Sequence, residues 1–134
     1  MRLKTKFLVR NVGVDAGVIA VCDRNHYIKH GGDIDKQVID GTPLSQVIKV
    51  EPGKYLVSWK IPQSWNGPIS GKANLEVTTG EVVVSDPCYC IKNNWAQYLN
   101  KTGYCEKNLE DCFYINEMGG DGVYTVNLNF KKIG

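Results

Sequence analysis

Hydrophobic and polar residues alternate along much of this chain with a period of two, the spacing of strands that bury one face. Arg2, Lys4, Lys6 and Arg10 alternate with Leu3, Phe7 and Val9, and Val12 and Val14 continue the row. Asp15-Ala16-Gly17 then reads as a tight turn, followed by an apolar strand over residues 18–22 that stops at Asp23. The cleanest strand places Tyr55, Val57, Trp59 and Ile61 on one face, after a Glu51-Pro52-Gly53 turn. Leu75 and Val77 lead to a turn at Gly80, and a second apolar strand over 82–84 ends at Ser85-Asp86-Pro87. Gly119-Gly120-Asp121-Gly122 precedes a last strand with Tyr124, Val126, Leu128 and Phe130 inward.

Two short helical stretches interrupt this pattern. Residues 33–41 carry Asp33 as a cap, Ile34 and Val38 at i, i+4, and Gly41 as a stop. Asn94 caps a stretch with Trp95, Tyr98 and Leu99 on one side. Residues 62–71, rich in proline and glycine, read as a connection between two halves.

Those halves repeat. Val12, Val14, Gly17 and Asp23 recur as Leu75, Val77, Gly80 and Asp86, each 63 positions later. Tyr55, Val57, Trp59 and Ile61 recur 69 positions later as Tyr124, Val126, Leu128 and Phe130. The expected architecture is one domain, residues 1–134, mainly β with one or two short helices. Its repeats span about 11–61 and 74–130 and share one core as a sandwich or a barrel.

Composition narrows the function classes. At 134 residues with 22% charged residues the chain suits one folded domain, and a net charge of +2 argues against a dedicated nucleic-acid binder. No apolar run reaches membrane-spanning length, and the basic N-terminus lacks a signal-peptide core. The expectation is a cytoplasmic protein whose five cysteines are reduced thiols.

The motifs resemble those of small uncharacterised phage and prophage proteins. They are Val14-Asp15-Ala16-Gly17, Asp86-Pro87-Cys88-Tyr89, Trp95 and Gly120-Asp121-Gly122-Val123-Tyr124-Thr125-Val126. A bacterial domain family of unknown function is similar too, with Pro52-Gly53-Lys54-Tyr55-Leu56-Val57 as its Pro-Gly-x-Tyr box. The resemblance implies a shared fold and brings no reaction with it. In the first half Asp23-Arg24-Asn25-His26 stands where the second has Asp-Pro-Cys-Tyr, so the two strand ends are not equivalent.

Candidate chemistry gathers at those ends. Asp23, Asp86 and Asp121 would hold a hard cation if they converged; the competing reading is that each accepts backbone N–H groups in an Asx-turn. Cys88, Cys90, Cys105 and Cys112 are enough thiols for zinc, with poor spacing, and Cys88 and Cys90 also read as core fillers. His26 and His30 near Cys22 suggest a Cys–His pair, against two surface histidines in a polar loop. No phosphate loop, zincin helix or nucleophile elbow is present. Trp65, Tyr27, Tyr89, Trp95 and Tyr98 would form an aromatic pocket if the loops after Asp23 and Asp86 met, or else cover the core.

The expected function is therefore binding without catalysis. A phage or prophage accessory protein, anti-defence in its most specific version, would take a small anionic ligand such as a signalling nucleotide, or a host protein. Asp23, His26, Tyr27, Asp86, Tyr89, Trp95, Tyr98 and Asp121 would be the binding residues, with no cofactor or metal, no membrane, and homo-oligomerisation left open. The alternatives are a metal-assisted hydrolase using Asp23, Asp86 and Asp121, and a structural or oligomeric interaction module.

Overall fold

A computed structural model describes residues 4–29, 38–39, 42–43, 45–86 and 111–133. Among these residues, in order, the strands are β1 (Lys6–Val14), β2 (Ile19–Asp23), β3 (Val38–Ile39), β4 (Thr42–Pro43), β5 (Ser45–Lys49), β6 (Gly53–Ile61), β7 (Ile69–Val77), β8 (Glu81–Ser85), β9 (Cys112–Ile115) and β10 (Gly122–Lys132), and a helix, α1 (Arg24–Lys29), follows β2. Two four-stranded antiparallel sheets carry the fold, ordered β1-β10-β6-β7 and β5-β8-β2-β9, and neither closes into a barrel. Strands β3 and β4 form a small separate pair.

The first sheet obeys the period of two. Tyr55, Val57, Trp59 and Ile61 are buried on β6, and Tyr124, Val126, Leu128 and Phe130 on β10, while their neighbours face outward. These inward residues join Ile19, Val21, Val82, Val84, Phe113 and Ile115 of the second sheet in one hydrophobic cluster. Close packing there constrains Gly71, which lies opposite Trp59. A Cβ at position 71 would stand 2.5 Å from Trp59 Cζ2, so the indole spreads over β7 only because a glycine is there.

The second sheet follows another rule. Every residue of β2 and of β9 is buried, as are Val82 to Ser85 on β8. Continuous apolar runs are what a strand covered on both faces requires.

Two local expectations are corrected. The alternation does not run unbroken from Val9 to Val14: the register of β1 on β10 shifts between Val9 and Val12, and Asn11 takes φ 59°. A β-bulge absorbs the extra residue and returns Val12 and Val14 to the buried face. Val38 and Ile39, expected in a helical turn, instead pair with Pro43 and Thr42 as a strand; an i, i+4 match over so short a stretch cannot nucleate a helix alone. The Asn94 stretch lies outside the described residues.

Residues matched across the 63- and 69-position offsets occupy matched places. Gly17 and Gly80 both take positive φ, 73° and 80°, in the turns that carry the chain from one sheet to the other. Tyr55 donates its hydroxyl to the Glu51 carbonyl at 2.5 Å, and Tyr124 to the Gly120 carbonyl at 2.6 Å, each four residues upstream. Burial raises both phenol pKa values, with Glu51 and Asp121 adding a smaller push of the same sign.

Candidate functional site

Asp23 ends β2 as a dense hydrogen-bond acceptor. Its carboxylate is wholly buried and accepts the backbone N–H and the hydroxyl of both Thr78 and Thr79, at 2.9–3.0 Å. It also accepts Asn25 N–H at 3.1 Å, closing a local Asx-turn at the start of α1. Asp86 is equally buried, and its Oδ2 accepts the Asp15 and Ala16 amides at 2.6 and 2.7 Å. The two bonds are reciprocal: Asp15 and Ala16 precede Thr78 and Thr79 by the same 63 positions that separate the aspartates. Each strand end thus clamps the turn that opens the other half's equivalent strand.

This geometry keeps the aspartates apart. β2 and β8 are antiparallel, with Asp23 opposite Val82. Asp86 lies four residues further along, about 13 Å at strand rise. Asp23 and Asp86 therefore end their strands at opposite ends of the β2–β8 pair. Asp121 sits in an exposed turn, where its carbonyl accepts Trp65 Nε1 at 2.9 Å. The three carboxylates do not converge, as the hydrolase reading needs; the aromatic pocket expected from the two loops rests on Tyr89, Trp95 and Tyr98, which lie outside the described residues.

His26 departs from the polar-loop expectation. It lies in α1, is 2% exposed, and its Nδ1 stands 3.1 Å from Asp111 Oδ1. Cys22, the cysteine that sequence reasoning set beside it, is in reach, because β2 runs directly into α1. Cys112 is the partner that reasoning missed: it faces Cys22 across the β2–β9 pair, and a disulfide joins them. The reduced-thiol expectation does not hold for this pair. Of the other expected site residues, the Tyr27 side chain and Tyr89, Trp95 and Tyr98 lie outside the described residues, as do Cys88, Cys90 and Cys105.

A surface with ligand character lies elsewhere, on the outward face of β1-β10-β6-β7. Register sets its rows: Lys6, Asn129, Ser58 and Lys72 cross the four strands side by side, and Leu8, Asn127, Lys60 and Ser70 form the next row. These residues and Lys4 line a cavity of about 610 Å³. Three strand spacings separate Lys6 from Lys72, roughly 14 Å. Lys4 Nζ lies 5.3 Å from the Phe7 ring centroid, which holds that arm against the rim.

Charge is concentrated here. The outward face carries Lys6, Arg10, Lys54, Lys60, Lys72 and Lys131 against Glu76, six cations minus one acid, or +5 on a chain whose total is +2. Glu76 is 3.8 Å from Lys54; among the described residues Lys4, Lys6, Lys60 and Lys72 form no ion pair. Parallel ammonium groups with no carboxylate between them attract an anion. The alternation at residues 2–10 already signalled this row, but its partners on β6 and β7 are set by pairing register.

Comparison with protein-family models, with curated proteins and with solved structures finds no match to this chain.

Proposed function

We propose that this protein binds a small anionic ligand, of the phosphate-bearing nucleotide class, on the outward face of β1-β10-β6-β7, and carries out no reaction on it. The observation that carries the reading is the lysine-rimmed cavity, in which Lys6, Lys60 and Lys72 surround the Asn127, Asn129 and Ser58 side chains. Its volume of about 610 Å³ suits a small molecule. Lysines supply the charge, the amides and hydroxyls supply directional bonds, and half-exposed Leu8 supplies an apolar floor for a base or other planar body. The motif resemblance extends the proposal to a phage or prophage accessory protein, acting in the host cytoplasm by sequestering a signalling nucleotide.

The two β-rich halves are proposed to be copies of one unit sharing the core. The reciprocal Asp23 and Asp86 clamps and the paired Tyr55 and Tyr124 hydroxyl bonds support this. So does the strand order, which reads the same from either end when β1, β6, β2 and β5 are exchanged for β7, β10, β8 and β9.

Isothermal titration against a nucleotide panel at low and high salt tests the ligand. At least one phosphorylated compound is expected to bind, more weakly as salt rises. Lys6→Glu with Lys72→Glu is expected to lower its affinity tenfold or more, at about 1.4 kcal/mol per decade. A panel that gives no heat, or a ligand indifferent to both reversals, would sink the proposal.

A further inference from the structure

We infer that the reduced Cys22–Cys112 pair, together with His26, is a site for a thiophilic divalent ion, zinc in the first instance, and that the disulfide is the closed state of that site. Cys22 Sγ, Cys112 Sγ and a His26 ring nitrogen lie within 4.8 Å of one another, and all three residues are buried. Among the described residues this is the one group of three His, Cys, Asp or Glu side chains so gathered.

Two short segments build it. Cys22 closes the apolar run of β2, and four residues later the first turn of α1 brings His26 back over the same sheet face. Asp111 directly precedes β9, and Cys112 opens it. Asp23 N–H donates to the Asp111 carbonyl at 2.8 Å, so Cys22 and Cys112 are the next pair along the ladder. Side chains at such a pair approach closely in either redox state.

The donor set selects the metal. Two thiolates and an imidazole favour zinc and other soft ions over magnesium or calcium. Asp111 Oδ1 on His26 Nδ1 is the carboxylate contact that orients ligating histidines and leads with Nε2 towards the metal. In a tetrahedral complex with Zn–S near 2.3 Å the sulfurs stand about 3.8 Å apart, a separation side-chain rotation can supply.

Packing alone accounts for this pair less well. The position 63 residues after Cys22 is Ser85, and it faces Ser45 across β8 and β5. The equivalent pairing is therefore made without sulfur.

The states exchange by balanced chemistry. A dithiol reductant transfers two electrons and two protons to the Cys22–Cys112 bond and becomes a disulfide itself. The two thiols then lose two protons as they ligate the ion. Oxidation of the pair and metal binding exclude one another.

The test uses the full chain with Cys88→Ser, Cys90→Ser and Cys105→Ser, so that only this pair remains. After dithiol reduction, one equivalent of cobalt(II) is expected to give a thiolate-to-cobalt charge-transfer band and the visible bands of a tetrahedral site, both displaced by zinc. The oxidised chain should show neither, and adding Cys22→Ser or His26→Asn should remove or strongly weaken them. Should the serine variants fail to fold, thermal melting of the wild-type chain decides: zinc should raise the midpoint of the reduced protein and leave the oxidised one unchanged. A reduced chain without the charge-transfer band, a band that survives Cys22→Ser, or an equal zinc shift in both redox states would overturn the inference.

Discussion

The two sheets are built from the same kind of chain and have opposite exteriors. On β1-β10-β6-β7 the outward face is open and carries lysines, asparagines and serines. On β5-β8-β2-β9 the outward positions Ala20, Cys22, Val83, Ser85 and Cys112 are buried like the inward ones. Antiparallel sheets tolerate one wet face, and only that face can offer charge to a ligand. The covered sheet instead holds what needs exclusion of water: the two aspartate clamps, the cysteine pair and His26. Exposed charge and buried polar chemistry are thereby separated into two layers.

The sharpest way to break this comparison is to charge the covered sheet. Val83→Lys would bury an ammonium at a fully buried position, and is expected to cost about 4 kcal/mol or more, abolishing cooperative thermal unfolding seen by circular dichroism. If the variant melts like the wild type, the outward face of that sheet is not sealed.

Removing a clamp ranks next. Asp23→Ala strands the amides and hydroxyls of Thr78 and Thr79 and should cost about 3 kcal/mol in urea denaturation. A cost below about 1 kcal/mol would mean that water replaces the carboxylate easily. Within the core of the open sheet, Gly71→Ala presses a methyl against Trp59 and should cost about 2 kcal/mol by the same measurement.

The tyrosine corners give a smaller, pH-dependent effect. Both phenols have pKa values raised by burial, so the folded state favours the protonated form. Their contribution is full below the ordinary tyrosine value near 10 and is lost as pH rises through the raised folded value. Stability should therefore fall in alkali above about pH 10. Tyr124→Phe should cost about 1 kcal/mol at neutral pH and make that alkaline loss shallower. An alkaline profile unchanged by Tyr55→Phe and Tyr124→Phe together would refute the assignment. Smallest of all, Lys60→Glu on the open face should change stability by no more than about 0.5 kcal/mol while weakening anion binding. If it unfolds the chain, that face is structural rather than a surface for recognition.

Much of the fold was legible along the chain because strand periodicity is local. Tyr55 to Ile61 and Tyr124 to Phe130 declared their buried faces by alternation alone. The unbroken apolar runs at 18–22 and 82–84 were legible as strands, though not as members of a sheet buried on both faces. The helix at 24–29 was not legible, since its six residues carry no acidic first turn and open directly from a strand. The bulge at Asn11 was hidden in an alternation that seemed to continue through it. For the candidate site, the N-terminal lysine row was visible, but three-quarters of the surface it belongs to comes from strands paired at long range. Asp23 and Asp86 were visible as strand ends, but not the turns they hold.

The sequence by itself determined strands β1, β2, β6, β7, β8 and β10 and the residues that end each apolar run, because side-chain period and turn chemistry act over a few residues. Tertiary structure alone decided which positions meet. Pairing register sets Cys22 beside Cys112 across 90 positions, places Asp23 and Asp86 at opposite ends of their strand pair, and aligns Lys6 with Lys72 over four strands. A one-residue slip would undo each of these without altering any local pattern, so no reading of periodicity could contain them.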